Sequence, residues 1–458
     1  MKKQVKTNGK IAVLGLGREG LALLKFLKTL KIKPVGLSNQ DMPKKSSEYK
    51  KLALFASELF LGREYLKNLS NFDLVFRSPG VPLDLPEIRK AKRKGVRFSS
   101  LTQLFFDTCP ARIIGVTGTK GKSTTASLIF HLLKANYPKG KVYFGGNIGI
   151  PPLQYLPKLT KNDLVVLELS SFQLEDLEKS PHIAVVLPIS PEHLDRHKTM
   201  AKYTRAKMNL IKHQGRSDFM VVEDSTLARK ISRLSKGKLV TYSQNKILPK
   251  GLYVNEGQII YRELKSGHRH EVIKVSDLPV AGKHNINNVL AASLIALIIG
   301  VKPQNLKNQI KRFKSLEHRL EPAYKKDDVQ FINDSMGTTP IATMAALDAI
   351  SDPVSLILGG ADKQTEFSGL AKYMKKQNNI LGVTLIGATA PKIKKALREA
   401  KVTFEILEAD NFKMAINKAY KLAKPNGVVL LSPACASFGW FKSAYDRGDQ
   451  FKVLVKKL

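Results

Sequence analysis

Between Gly115 and Thr125 the chain reads GVTGTKGKSTT, preceded by the apolar run RIIGV and followed by the helix-forming ASLIFHLLK. A strand that passes through a glycine turn into a helix leaves backbone N–H groups at the helix start without intrahelical partners. With the helix dipole behind them, such groups cradle phosphate oxygens. Lys122 adds a flexible cation and Ser123 a hydroxyl suited to Mg²⁺. The spacing departs from the literal GxxxxGK[ST] pattern, because Val116 stands where that pattern has its first glycine; the glycines are Gly115, Gly118 and Gly121. A turn that only joined strand to helix would give no reason for GKST at the helix start. The loop therefore points to a nucleoside triphosphate, without choosing among ATPase, kinase and ligase.

A second glycine loop, GLGREG, lies near the amino terminus with Gly15, Gly17 and Gly20 at Rossmann spacing. Its N–H groups could hold a pyrophosphate. The next apolar segment ends PVGLSNQ, with no acidic residue where a carboxylate would receive a ribose, which disfavours that form of nucleotide recognition.

The elements that must position these loops alternate in a βαβ rhythm. IAVLGLG, GLALLKFLKTL, KPVGLS and LVFRSPG fill the first hundred residues, and DLVVLELSS and IAVVLPIS follow the phosphate loop. VQFINDS, VSLILGG, GVTLIG and GVVLLS occupy the last third. Alternating strands and helices predict parallel sheets with ligands at the strand carboxyl ends. At 458 residues the chain exceeds one ordinary core and suggests roughly three units of ~150 residues. The boundaries expected are 1–108, 109–316 and 317–458. The stretch from Val289 to Val301 is too short to span a bilayer and reads as a buried helix. Neither a signal peptide nor membrane insertion is expected. Two distant cysteines, Cys109 and Cys435, match no metal spacing and suit a reducing compartment. The net charge of +38 is mostly lysine spread along the chain with few aromatics interleaved, so it reads as a solvated surface rather than a nucleic-acid site.

The loop TGTKGKST resembles the ATP loop of the Mur ligases, and other segments match that family in order. They are GGNIGIPPL, ELSSFQLE, SPEHLDRH, YTRAK, GKHNINN, EHRLE, NDS, GGADK and LSPACASF. ELSSFQLE together with SPACASFxxFxxxxxRGxxF is most similar to the branch that adds D-glutamate to UDP-N-acetylmuramoyl-L-alanine. The resemblance implies an α/β chain of three domains: an N-terminal Rossmann-like UDP-binding domain, a central P-loop ATPase-type α/β domain and a C-terminal Rossmann-like α/β domain. It implies an ATP-dependent amide ligase of peptidoglycan precursor synthesis, cytoplasmic and monomeric, acting through an acyl phosphate. Its partners would be UDP-muramoyl-alanine and glutamate, with no nucleic acid.

By the same resemblance, Lys122, Glu168, His193 and Lys207 would be catalytic. Gly118, Thr119, Lys120, Gly121, Lys122, Ser123 and Thr124 would hold the ATP phosphates, and Asn285, Asn288, Arg319 and Asp334 the adenosine. Two Mg²⁺ ions would be held by Ser123, Glu168, His193 and Lys207. Lys207 corresponds to a lysine that takes up CO₂ as a carbamate, which converts a cation into an oxygen donor. Gly15, Gly17, Gly20 and Ser78 would face the UDP, Asn147 and Ser170 the muramoyl part, and Thr338, Lys363 and Ser437 the incoming amino acid. The chain departs from the family in reading NDSMGT where NDSKAT is common, with Met336 in the lysine's place, and in having Ala444 beside Tyr445 where an aromatic is usual. Those departures leave open a relative that adds L-glutamate or another amino acid. A folate-type polyglutamate ligase would lack the N-terminal unit. A nucleic-acid-binding ATPase would need a contiguous basic groove, and a dehydrogenase read from GLGREG would leave the phosphate loop unexplained.

Overall fold

The structure, a computed structural model, describes residues 9–279, 283–314, 317–348, 350, 352–362 and 365–458. It divides into one compact unit ending at Phe313 and a second running from Lys314 to Leu458.

The first unit carries two sheets. One is five-stranded and wholly parallel, in the order β3-β2-β1-β4-β5, from β1 (Ile11–Leu14), β2 (Val35–Ser38), β3 (Glu58–Leu61), β4 (Leu74–Arg77) and β5 (Arg97–Ser100). The chain leaves β1 for β2 on one side and reaches β4 on the other, so the carboxyl end of β1 lies at the switch point where such sheets bind ligands. GLGREG occupies that end and runs into the helix Arg18–Thr29.

The second sheet has nine strands, in the order β14-β13-β12-β11-β10-β9-β6-β8-β7. Its parallel part consists of β6 (Arg112–Thr117), β7 (Val142–Gly146), β8 (Leu164–Glu168), β9 (Ile183–Val186), β10 (Phe219–Glu223) and β11 (Lys238–Ser243). β12 (Gly251–Asn255) extends it in parallel, and β13 (Gln258–Arg262) and β14 (Arg269–Lys274) fold back antiparallel. The sequence expectation of parallel strands did not include this meander. Its strands are joined by two short turns that need no crossover helix, which is the signal a βαβ reading passes over.

Register fixes the site. Val116 pairs with Glu168 and Thr117 with Val186, so β6, β8 and β9 end at one edge. The helix Lys122–Asn136 packs one apolar side on the sheet and another on the helix Lys283–Ile299, whose Val289–Leu297 stretch is buried, as its composition predicts. This second helix has apolar residues all round, as a core helix does.

In the second unit, β15 (Glu321–Lys326), β16 (Val329–Asn333), β17 (Val354–Gly359), β18 (Ile380–Ile386), β19 (Glu405–Glu408) and β20 (Val428–Leu431) form one sheet in the order β15-β16-β20-β17-β18-β19. All pairs are parallel except the edge pair β15–β16. Four of its strands are those the sequence indicates; β15 and β19 are largely polar edge strands, which carry little periodic signal.

Candidate active site

The phosphate loop is built around positions that tolerate little but glycine. Gly121 caps the Lys122–Asn136 helix at φ +82°, and a Cβ there would lie 2.3 Å from Asn288 Oδ1. No side chain caps this helix, so its first N–H groups face outward for a ligand. Thr119, buried, is the loop's anchor. Its hydroxyl is 3.1 Å from the Tyr203 hydroxyl and donates to Ser190 O at 3.1 Å, while it accepts from Ser190 N at 2.9 Å. Lys120 is exposed and Thr124 half-buried. Lys122 turns back over the loop and donates to Gly118 O at 3.1 Å and Thr119 O at 2.5 Å.

Glu168 ends β8 and is buried. Ser123 donates to its Oε2 at 2.6 Å and Asn147 to its Oε1 at 2.8 Å. These are short, charge-assisted bonds, and they bring together a hydroxyl and a carboxylate from motifs 45 residues apart. Two hard oxygen donors side by side at a phosphate loop are what Mg²⁺ takes, so this pair fits the ion.

Lys207, on the helix Met200–Lys212, is buried, donates to Gly118 O at 2.7 Å and lies 4.6 Å from the centre of the Tyr203 ring. Burial foremost, then the nearby Lys122 ammonium, pushes its amine down to about 7, against the pull of Glu192 and Glu168. His193 adopts φ +54°, and its ring lies 4.9 Å from the Phe172 ring and 6.3 Å from that of Tyr203. Its Nε2 is 3.7 Å from Glu192 Oε2, which also accepts from the Tyr203 hydroxyl at 3.2 Å. Tyr203 thus touches Thr119, Lys207, His193 and Glu192. It stands at the first position of YTRAK, but nothing in its residue type or spacing marks it as central. Among the described residues no three His, Cys, Asp or Glu side chains form a metal-binding group; the donors gathered here include a serine and a lysine.

On the far side of the loop, Asn288 is buried, accepts from Thr125 Oγ1 at 3.1 Å and donates to Asn285 Oδ1 at 3.0 Å. Asn288 therefore meets the start of the phosphate-loop helix directly, and Asn285 lies behind it. At the amino-terminal sheet, a Cβ on Gly20 would lie 2.1 Å from Gly15 O, so the turn closes on a bare helix backbone. Ser78 adjoins Gly15: a Cβ added to that glycine would be 2.6 Å from Ser78 Cβ. Arg77, fully buried, holds the Ser78 turn through Val81 O at 2.6 Å and reaches Asp176 at 2.9 Å. Ser170 caps a short helix in a reciprocal box with Gln173.

The second unit carries Arg319, Asp334, Thr338 and Ser437. Asp334 accepts from Ser432 Oγ at 2.7 Å, and its buried carboxyl is pushed up to about 7 by desolvation, with Ser432 and Arg319 opposing. Thr338 is half-buried in the turn after β16. Ser437 is buried and lines a cavity of about 230 Å³ with Gly360, Gly387, Phe438 and Trp440. Lys363 lies outside the described residues. Arg447, the arginine of SPACASFxxFxxxxxRGxxF, is fully buried and donates to Ser335 and to Cys435 O, and so ties NDS to SPACASF; the motif marks the residue but not this structural role.

Three family descriptions match the chain: Mur ligase MurD-like N-terminal domain at residues 9–100, Mur ligase middle domain at 116–296, and Mur ligase glutamate ligase domain at 318–435. The chain belongs to the Mur ligase family. This Mur ligase is 38% identical to the UDP-N-acetylmuramoylalanine–D-glutamate ligase of Acetivibrio thermocellus, over 100% of its own length and 98% of the relative's. It is 36% identical to that of Symbiobacterium thermophilum, over 99% of each chain. Its fold is similar to that of a UDP-N-acetylmuramate–alanine ligase from Thermotoga maritima, with a TM-score of 0.54 and 17% identity over 98% of this chain and 100% of the other. A MurF ligase from the same organism, in complex with ADP, gives 0.55 and 18% over 98% and 96%. No helix of this Mur ligase, among the described residues, is long and apolar enough to cross a membrane.

Proposed function

We propose that the chain joins D-glutamate to the free carboxylate of UDP-N-acetylmuramoyl-L-alanine, with ATP as phosphoryl donor, in the cytoplasmic assembly of peptidoglycan precursors. The observation that carries this reading is the Glu168 carboxylate, shared by Ser123 of the phosphate loop and Asn147 of the acceptor-side turn. It links the groups suited to a triphosphate with those suited to the muramoyl carboxylate. The names of the full-length relatives support the same reading.

In the reaction proposed, an acceptor carboxylate oxygen attacks the γ-phosphorus and ADP departs, leaving an acyl phosphate. The amine of glutamate then attacks the acyl carbon, loses a proton, and phosphate leaves. Phosphoryl transfer needs charge neutralisation and alignment more than covalent help. Lys122 sits where it can leave the loop carbonyls for phosphate oxygens. Ser123 and Glu168 would hold one Mg²⁺, and His193 with Lys207 a second; bound there, the ions supply positive charge to the transferring group. Lys207 would serve as a ligand in carbamate form: its unprotonated amine nitrogen would bond to the carbon of CO₂ with release of a proton, leaving two oxygen donors. Its burial against Gly118 O, with an amine held near neutrality, supports that chemistry. Asn285 and Asn288 of the first unit are proposed adenosine contacts, as are Arg319 and Asp334 of the second. Gly15, Gly17, Gly20 and Ser78 bind the UDP, and Thr338, Lys363 and Ser437 bind glutamate.

Met336 and Ala444 favour one alternative, a ligase for L-glutamate or another amino acid. Incorporation of radiolabelled D- and L-glutamate into UDP-muramoyl-alanine, with ATP and Mg²⁺, decides between them. Label from the D form alone is the expected result, whereas label from neither form would refute the glutamate reading.

A further inference from the structure

Of the three residues of GLGREG that are not glycine, Leu16 is buried in the core and the other two reach out of the amino-terminal sheet. Arg18 donates from Nη2 to Asn147 O at 2.7 Å and Gly146 O at 3.3 Å, and from Nη1 to Gly149 O at 3.2 Å. One guanidinium therefore grips three carbonyls of a single turn, Gly146 to Gly149. That turn, GNIG, is also held by buried Ile148 and by Asn147 N donating to Glu168 O at 2.8 Å, and it carries the Asn147 amide that donates to Glu168 Oε1. Glu19, the next residue, accepts from Gln173 Nε2 at 2.6 Å, and Gln173 forms the capping box with Ser170. Consecutive side chains at the start of one helix thus hold the loops of Asn147 and Ser170.

We propose that Arg18 is a positioning residue for the ligase reaction. It fixes the Gly146–Gly149 turn so that Asn147 orients Glu168 toward the ion that Glu168 and Ser123 hold, and it ties this orientation to the glycine loop that takes the UDP. The proposal rests on the functional reading above. A planar guanidinium can serve three carbonyls at once because its five N–H donors lie in a fixed fork; an ammonium cannot reproduce this. Residues that orient an ion's ligands without touching the ion typically affect ion affinity or activity by roughly 10–100-fold.

Two measurements on the full chain test it. The first needs no acceptor: Mn²⁺ is titrated in the presence of ADP and free ion is followed by electron paramagnetic resonance. Arg18→Ala should weaken Mn²⁺ binding by about tenfold, with Arg18→Lys between it and the parent. The second is steady-state phosphate release with UDP-muramoyl-alanine and glutamate. Arg18→Ala should lower kcat/KM for Mg²⁺-ATP by roughly 10–100-fold, and Arg18→Ala/Asn147→Ala should be no slower than Asn147→Ala alone, because Arg18 acts through Asn147. Parent-like Mn²⁺ affinity in Arg18→Ala, or additive losses in the double variant, would overturn the proposal. An unaltered chain without acceptor-dependent turnover would instead count against the functional reading and leave the Mn²⁺ result to judge Arg18. Should Arg18→Ala fail to fold, Arg18→Lys carries both comparisons, and parent-like values in it would equally overturn the proposal.

Discussion

The two glycine loops hold the same place between strand and helix and differ in backbone and chemistry, with Gly17 extended and Gly121 left-handed. Each follows the strand at the middle of its sheet's crossover and opens a helix capped by glycine, Gly17 or Gly121, with no side-chain cap, so each helix presents unpaired N–H groups. At Gly118–Ser123 the following side chains are Lys122 and Ser123, and the neighbouring strand end delivers Glu168 within hydrogen-bond reach. At Gly15–Gly20 the corresponding positions hold Arg18 and Glu19, which bind other protein loops. In both places the uncapped helix start is suited to an anion. On the function proposed above, reaction chemistry belongs to the loop beside Glu168, and the other loop would bind and align.

The difference should be largest at the cation. Lys122→Ala should reduce acceptor-dependent phosphate release by roughly 10²–10³-fold, as loss of a charge-stabilising donor does, while the affinity for UDP-muramoyl-alanine, measured by calorimetry, stays at the parent value. Equal damage to acceptor binding would erase the division of labour between the loops. Lys207→Ala should also lose most activity, by about 10²-fold, and short carboxylic acids added to the assay should restore part of it, since they supply the oxygen donors of a carbamate. No recovery at any concentration would contradict the carbamate.

How much of this was legible follows from how local each signal is. The phosphate loop, the strand that presents Glu168 and the buried helix after Asn288 are written in contiguous residues whose types suffice. The β12–β14 meander and the edge strands β15 and β19 are not, because polar edge strands have weak periodicity and hairpins need no crossover. The roles of Tyr203, Arg18 and Arg447 are set by partners far along the chain: Tyr203 meets Thr119 across 84 residues and Arg447 meets Ser335 across 112. No spacing rule reaches that far.

A smaller effect comes from the buried amine. Lys207 has an ordinary value of 10.5 and about 7 in the fold, so between these limits the unfolded chain holds a proton that the native chain does not. Stability attributable to this group therefore rises with pH from about 7 to about 10.5, and below 7 the cost of burying the charge is fully present. In CO₂-free buffer, Lys207→Met should be more stable than the parent at pH 7.5. That advantage should shrink by about 1.4 kcal/mol per pH unit toward pH 9.5, measured by urea unfolding; an advantage that did not change with pH would show the amine to be ordinary. The smallest effect is expected at Gly17, where a Cβ would meet nothing within 4 Å. Gly17→Ala should change stability by no more than about 0.5 kcal/mol. It should nevertheless raise KM for UDP-muramoyl-alanine several-fold and leave KM for ATP alone, because the added methyl group would stand where pyrophosphate approaches the helix. An unchanged KM for the acceptor would take the amino-terminal loop out of substrate binding.

The most direct test of the central claim, that phosphate and ion meet at the Ser123–Glu168 pair, is a crystal grown with Mn²⁺ and a non-hydrolysable ATP analogue, with the anomalous signal of the metal located. The expected result is a peak in contact with Ser123 Oγ and a Glu168 carboxylate oxygen, beside the analogue's terminal phosphates. Analogue density in the Gly118–Ser123 loop with Mn²⁺ bound away from Glu168 would contradict it.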